Sequence, residues 1–397
     1  MKTKVAVLFG GKSVEHEVSV ISGIQAVRNM DPEKYEITTV YITKKNEFYV
    51  GEDTGKIEAY RDIPALLKNS KRVILLNEEN RVVLKQYPAP KFGKGIEIPV
   101  DVVFPVVHGT NEEDGTLQGY LKTIGVPFVG CDVTASAVGM DKYVSKAILK
   151  ENGIPVLDCL LFTTSQYAET EKMLDEIEEK IGYPVIIKPV NLGSSVGIVV
   201  AKDRAELTDA VDTAFLYARR ILAEHAILNL REVNCSVLGD ENEAIASECE
   251  EPLHSADILS YEDKYMSGSS KSGGSKGMAG VSRKIPADIT PEMKADIQKY
   301  AIKAFQSFGC NGVARIDFMI DSDNGKLYFN EINTIPGSLA FYLWEAVGMP
   351  YRELIDRLIA LALKRDREEK SVSYTFDTNI LAGANLGGSK KLPASGS

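Results

Sequence analysis

The chain has 397 residues, 44% of them apolar, with 46 basic and 56 acidic side chains giving a formal net charge of −10. That length exceeds one ordinary core and predicts two or three domains, while interspersed charge without a basic stripe argues against nucleic acid or an anionic membrane as partner. No run approaches a membrane span, the N-terminal apolar run passes into glycines without a cleavage site, and five scattered cysteines form no CxxC pair, so a soluble cytoplasmic enzyme with reduced thiols and a small substrate is expected.

KVAVLFGG is a continuous apolar run ending in paired glycines, as expected of a buried parallel strand, and EVSVISGIQAVRNM behind it has helical periodicity. Gly11-Lys12-Ser13 between them resembles the end of a phosphate loop, but the first glycine of that motif falls on Ala6, and no GxGxxG is present. The turn instead places Glu15, His16 and Glu17 at a helix N-terminus on the carboxyl edge of a strand, where open α/β sheets bind ligands. An acid there also serves as a helix cap, so Glu15 reads either way. YEITTVYIT is a second strand, RVILL and RVVL an inserted hairpin, and DVVFPVVHG a further buried strand that opens at His108-Gly109 into the polar turn TNEEDGTLQG. His108 is either a structural histidine or one that faces a ligand. VPFVG closes a first unit, residues 1–130, of three-layer α/β type.

DKYVSKAILKENG predicts a helix carrying Lys142 and Lys146 on one face, and GIPVLDCLLFT a strand. After a charged helix comes YPVIIKPVNLGSSVGIVVAKD, an antiparallel hairpin in which Lys188 closes the first strand. Backbone N–H groups in its Gly-Ser turn form an anion nest, and the lysine can reach a phosphate; a surface hairpin with a snorkelling lysine is the plainer alternative. Glu224 sits at the polar break of ILAEHAI, and Glu232 leads LREVNCSVLGD. Such acids are commonly solvated, but in a nucleotide cleft they would take an adenine amino group or ribose hydroxyls. Residues 131–220 read as a central unit and 221–366 as a C-terminal one. The Gly/Ser/Lys-rich stretch 266–283 has the composition of a lid loop, and PEMKADIQKYAIKAFQSFG is an amphipathic helix opened by proline. The last helix is YRELIDRLIALALKRDREEK, its end overlapping a tail, 367–397, expected to be mobile.

Residues 312–337 hold two β-type runs, VARIDFMI and KLYFNEIN, around Asp-Asn-Gly turn chemistry. Residues two apart share a strand face, so Glu331 and Asn333 project together and an antiparallel neighbour can bring Asp317 to them. Three oxygen ligands without His or Cys suit Mg2+, with waters and phosphates completing the octahedron. Solvated acids on a surface hairpin are the alternative, which suits Asp321 and Asp323 better than Glu331 and Asn333 among their apolar neighbours.

Taken together, GGKSVEHEVSVISG, VVHGTNEEDGTLQG, KPVNLGSSVGI and the Arg-x-Asp and Glu-Ile-Asn hairpin resemble the D-alanine–D-alanine ligase family of ATP-grasp enzymes, over residues 1 to about 365. The resemblance implies a mixed α/β and α+β ATP-grasp fold: an N-terminal Rossmann-like domain, then central and C-terminal domains enclosing ATP. It implies an enzyme that uses ATP and two Mg2+ ions, with Mn2+ as a substitute, to join two D-alanine molecules through an acyl phosphate for peptidoglycan synthesis. Its partners would be those small molecules and a second copy in a homodimer. By the same resemblance, Asp317, Glu331 and Asn333 hold the metals, and Lys142, Lys188 and Lys264 contact phosphates. Glu224, Glu232 and the backbone of Ile227 hold adenine and ribose, while Arg315 and the Gly337 N–H meet the oxyanion. Glu15, linked through Ser194 to Tyr265, receives the first ammonium, and His108 lines that site. The chain departs from the family after Gly337, where SLAFYLWEAVGM is shorter than the usual Ser/Thr-rich loop and leaves Ser338 and Tyr342 as the nearby hydroxyls for the second substrate. The lid offers Lys271, Lys276 and Arg283 to an anion. A different second substrate, such as D-serine, a hydroxy acid or another amino acid, and a nucleotide-binding regulator without chemistry are the competing readings.

Overall fold

The computed structural model describes residues 2–193, 196–253 and 283–374. The expectations for Ser194, Lys264, Tyr265, Lys271, Lys276 and most of the lid and tail therefore lie outside the described residues.

Among the described residues three sheets each organise a core. The first runs in the order Glu97–Pro99, Arg81–Gln86, Lys71–Glu78, Phe48–Val50, Tyr35–Ile42, Thr3–Gly10, Val102–Pro105. Thr3–Gly10 pairs in parallel with the strand on either side, as its uninterrupted apolar sequence requires, and the inserted hairpin extends the sheet antiparallel. Strand order reverses at Thr3–Gly10, so the loops that leave it and Val102–Pro105 open a crevice at the carboxyl edge. The helix His16–Asn29 buries Val20, Ile24 and Ala26 against this core. The last helix, Tyr351–Lys370, buries Leu354, Ile355 and Leu358 in the same core, although the sequence suggested a C-terminal unit ending at 366. It stays helical through Lys370, past the expected start of the tail.

The second sheet, Val199–Ala201, Val185–Pro189, Arg220–His225, Cys159–Thr163, is antiparallel throughout. Arg220–His225 lies between two of its strands, so a boundary at 220 would cut the sheet; strand pairing is non-local, and the polar Arg219-Arg220 break concealed it. The third sheet runs Arg283–Lys284, Ala244–Pro252, Leu230–Gly239, Gly312–Asp321, Lys326–Asn333. Alternation divides its faces: Val233, Cys235, Val237, Ala314, Ile316 and Phe318 share a core with Ile297, Ala301 and Phe305 of the helix Pro291–Ser307, whose Thr290 cap accepts the Met293 N–H. Asn234, Ser236, Arg315 and Asp317 stand on the opposite face. The helices Val133–Met140 and Lys142–Glu151 send Ala135 and Leu149 into this third core. Among the described residues no helix is long and apolar enough to cross a membrane.

Candidate active site

Antiparallel register sets Asp317 opposite Glu331 and Arg315 opposite Asn333, the arrangement the strand periodicity predicts. Asn333 Nδ2 donates to Asp317 Oδ2 at 3.1 Å. Arg315 donates through Nε and Nη2 to the two oxygens of Asp317, each at 2.7 Å, a buried fork of the strong charge-assisted kind. Burial raises the Asp317 carboxyl; Arg315 pulls it back, while Glu331 and Glu232 push it up, leaving it at about 6. Glu232 therefore lies near enough to share the field of the hairpin. Asn234 is opposite Asp317 on one side and Glu250 on the other, so the polar row crosses four strands.

The acidic and amide groups offer oxygen donors only, and burial, with smaller pushes from Glu331 and Glu232, raises Asp317; a divalent cation of the Mg2+ type fits such a set. No three His, Cys, Asp or Glu side chains close into a metal cage among the described residues. Two carboxylates and an amide form an open set, suited to an ion that takes its other ligands from phosphate and water.

Lys142 links this hairpin to the loop that follows Val185–Pro189 in the second sheet. It opens the helix Lys142–Glu151, whose N-cap Asp141 accepts the Val144 N–H and pairs with Arg220 at 2.5 Å. Its Nζ donates to Leu192 O and lies beside Glu331 Oε2, both at 2.9 Å. One turn further, Lys146 Nζ is 2.9 Å from Glu224 Oε1, and Lys188 Nζ donates to Oε2 at 3.0 Å. Burial would raise the Glu224 carboxyl, but Lys188 and Lys146 outweigh it and hold it at about 2. Glu224 is therefore the enclosed counter-ion of two lysines. Moving it away would leave buried ammonium groups unpaired. Lys146 was not assigned a role from sequence; its four-residue spacing from Lys142 was the available signal. Ile227 follows this strand just past Ala226, whose N–H donates to Pro184 O at 2.9 Å.

At the crevice of the first sheet, Ser13 Oγ–H donates to His108 O at 2.6 Å and its oxygen accepts the Glu15 N–H at 3.0 Å. The Glu15 side chain makes no capping hydrogen bond to its helix. A β-carbon on Gly109 or Gly193 would sit 3.2 or 3.8 Å from Glu15 Oε2, so this carboxylate points between the crevice and the loop that follows Val185–Pro189. His16 turns inward, with Nδ1 2.6 Å from Gly11 O and Nε2 3.1 Å from the Tyr41 hydroxyl.

His108 is buried as well. Its Nδ1–H donates to Ile335 O at 2.9 Å, because a carbonyl only accepts, and Nε2 then accepts from Ser22 Oγ–H at 3.3 Å. Burial lowers its pKa and keeps the ring neutral despite Glu15 nearby. Ser22 Oγ in turn accepts the Ser338 N–H at 3.0 Å. Glu113, also unassigned from sequence, accepts the Gly109 N–H at 3.1 Å; burial, then Glu15, holds its carboxyl well above the usual range, with a smaller push from Glu331. A single acid inside the polar turn TNEEDG carries no periodic signal to mark it.

Past the hairpin, Gly337 opens a tight turn in which Ser338, Leu339 and Ala340 have φ of 51, 55 and 50°. Three successive left-handed residues without glycine are strained, and tertiary contacts must hold them. Ser338 Oγ–H donates to Gln25 at 2.7 Å, and the Tyr342 hydroxyl donates to Glu250 at 3.0 Å. Arg283 covers the Tyr342 ring at 4.0 Å and donates to Glu250 at 3.0 Å. The two hydroxyls expected to meet a second substrate are thus already engaged within the protein, because the short loop folds back onto the helix His16–Asn29 and the strand Ala244–Pro252.

Residues 4–131 match the family described as D-ala D-ala ligase N-terminus, and residues 148–360 match D-ala D-ala ligase C-terminus. The chain is 42% identical to the D-alanine–D-alanine ligase of Caldicellulosiruptor bescii, over 94% of this chain and 99% of the relative. It is 40% identical to that of Geobacillus kaustophilus, over 95% and 99%. Among solved structures, the D-alanine–D-alanine ligase of Coxiella burnetii superposes with a TM-score of 0.77 at 30% identity, over 93% of this chain and 96% of that one. The VanG D-Ala:D-Ser ligase of Enterococcus faecalis superposes with a TM-score of 0.75 at 32% identity, over 91% and 100%.

Proposed function

The chain belongs to the D-alanine–D-alanine ligase family of ATP-grasp enzymes and joins two D-alanine molecules for peptidoglycan synthesis; we propose that it does so with Mg-ATP in the cleft where its three sheets meet. The observation that carries this reading is Lys142, whose one ammonium touches both the anion loop at Leu192 and the hairpin carboxylate Glu331.

Phosphoryl transfer to a carboxylate needs alignment and charge neutralisation more than covalent help. The first D-alanine places its ammonium at Glu15, so its carboxylate oxygen can attack the γ-phosphorus of ATP; ADP leaves and an acyl phosphate forms. Lys142 and Lys188 meet the phosphates. Glu224 keeps Lys188 and Lys146 ordered while the nucleotide is absent. Asp317, Glu331 and Asn333 would hold Mg2+, which supplies charge neutralisation at the phosphates when bound. The second D-alanine, its amine deprotonated, attacks the acyl carbon, and phosphate leaves from the tetrahedral intermediate. Arg315 and the Gly337 N–H stabilise the oxyanion of that step. Glu232 and the Ile227 backbone take the nucleoside. A homodimer in the cytoplasm is the assembly and location proposed.

Incubation with Mg-ATP and D-alanine yields phosphate and the dipeptide; ADP release no faster with D-alanine than without it overturns the reading. A second reading, with D-serine as acceptor, is favoured by the engaged Ser338 and Tyr342 and by the likeness to a D-Ala:D-Ser ligase. A panel of acceptors scored by phosphate release separates the two.

A further inference from the structure

Glu112 lies outside every role assigned above, yet it is 3% exposed and its carboxylate lies flat against the backbone of Gly11. A β-carbon on Gly11, where φ is +96°, would come within 2.2 Å of Glu112 Oε1. Only glycine permits that approach. Oε1 accepts the Lys12 N–H at 3.0 Å. Glu112 is itself fixed from behind: its N–H donates to Gly109 O at 3.2 Å, and the buried Gln118 donates through Nε2 to its carbonyl at 3.0 Å. The peptide it touches is held on its other edges, since Gly11 N–H donates to Ile42 O at 2.8 Å and Gly11 O receives the His16 ring at 2.6 Å.

The loop from Gly10 to Glu15 is therefore fastened to the loop that follows His108 at two points. One is Ser13 on the His108 carbonyl; the other is Lys12 on Glu112. Two fastenings fix both the position and the tilt of a short loop, and one fixes only its position. Glu15 sits two residues beyond the Ser13 fastening, so the tilt decides where its carboxylate ends.

We propose that Glu112 is a positioning residue for the first amino acid: acting through the Lys12 amide, it aims Glu15 at the substrate ammonium without touching substrate. The proposal rests on Glu15 being the ammonium partner, and the experiment separates the two.

Glu112→Ala, Glu112→Gln and Glu15→Gln are compared by steady-state kinetics at both D-alanine sites and by amide hydrogen exchange over residues 11–15. Glu112→Ala removes the acceptor of the Lys12 N–H and with it one of the two fastenings, so the first-site KM rises about tenfold while kcat stays within about threefold. KM for ATP does not move, and exchange at Lys12 accelerates. Glu112→Gln keeps an oxygen acceptor of the same shape and restores both the first-site KM and the slow exchange. An unchanged first-site KM in Glu112→Ala, failure of Gln to rescue, or a parallel rise in KM for ATP each overturns the proposal. If Glu15→Gln itself leaves the first-site KM unchanged, the reading of Glu15 fails instead. Should Glu112→Ala not fold, Glu112→Asp tests the same point, since its shorter arm withdraws the acceptor from Lys12 and raises the first-site KM in the same way; an unchanged KM there overturns the proposal.

Discussion

The hairpin at the floor of the cleft and the turn that leaves it are adjacent in the chain and are held by different kinds of contact. In the hairpin, Arg315, Asp317, Glu331 and Asn333 meet because neighbouring antiparallel strands put them on one face. In the turn, Ser338 depends on Ser22 and Gln25 of the first sheet's helix, and Tyr342 on Glu250 of another strand. The hairpin residues are brought together by local register and pair chiefly with one another and with Lys142. The turn residues are recruited from a distance, and their polar groups are spent on holding the sheets together.

That contrast can be broken by mutation. Glu331→Gln should lower turnover about a thousandfold through lost charge neutralisation, with the melting temperature unchanged within a few degrees. Loss of the fold instead would make the hairpin structural and erase the distinction. Glu224→Gln should cost about 3–5 kcal/mol in urea unfolding, because two buried ammonium groups lose their counter-ion. The pH dependence has a definite sign. The folded carboxyl, at about 2, lies below its ordinary value of 4.5, so its stabilising share is complete above pH 4.5 and disappears as pH falls through 2. Wild type and Glu224→Gln should therefore converge in stability toward pH 2; a constant gap would show that the carboxylate is not the stabilising group.

Ser22→Ala removes the acceptor of the Ser338 N–H and the donor to His108 together, and should cost about 2 kcal/mol by the same measurement. Smallest of all, Ser338→Ala should cost about 1 kcal/mol and leave kcat within about threefold. If it matched Glu331→Gln in its effect on turnover, Ser338 would be a substrate contact and the second-substrate assignment would return to it.

The same distinction explains which residues were legible. Asp317, Glu331 and Asn333, proposed as metal donors, Lys188 at a strand end and Glu15 at a helix start could be located because each sits at a fixed offset in a periodic element. In the first sheet the apolar runs at Thr3–Gly10, Tyr35–Ile42 and Val102–Pro105 and the inserted hairpin were legible, whereas the short strands Phe48–Val50 and Glu97–Pro99 carry too few residues for a period to show. Lys146 was visible as the partner of Lys142 on a helix face, but nothing local said that it would turn to Glu224, 78 positions later in the numbering. Glu112 and Glu113 lie in a turn with no period, and only the folded chain shows both carboxylates buried beside the Gly11 and Gly109 backbone. The limit drawn at 220 falls at the first residue of a strand whose pairing partners both precede it in the chain, a non-local fact that no local signal carries.

By itself the sequence determined the chemistry on offer: an oxygen-only donor set, lysines placed for phosphate, an acid for an ammonium, and a family whose motifs occur in order. Local periodicity suffices for this, since a strand's alternation and a helix's repeat decide which side chains share a face before any tertiary contact forms. Tertiary structure alone decided which of those groups face the cleft and which serve one another. Arg315 on Asp317, Glu224 between two lysines and Ser338 on Gln25 are pairings between charges and dipoles brought close by sheet packing, and burial makes each costly to leave unmade.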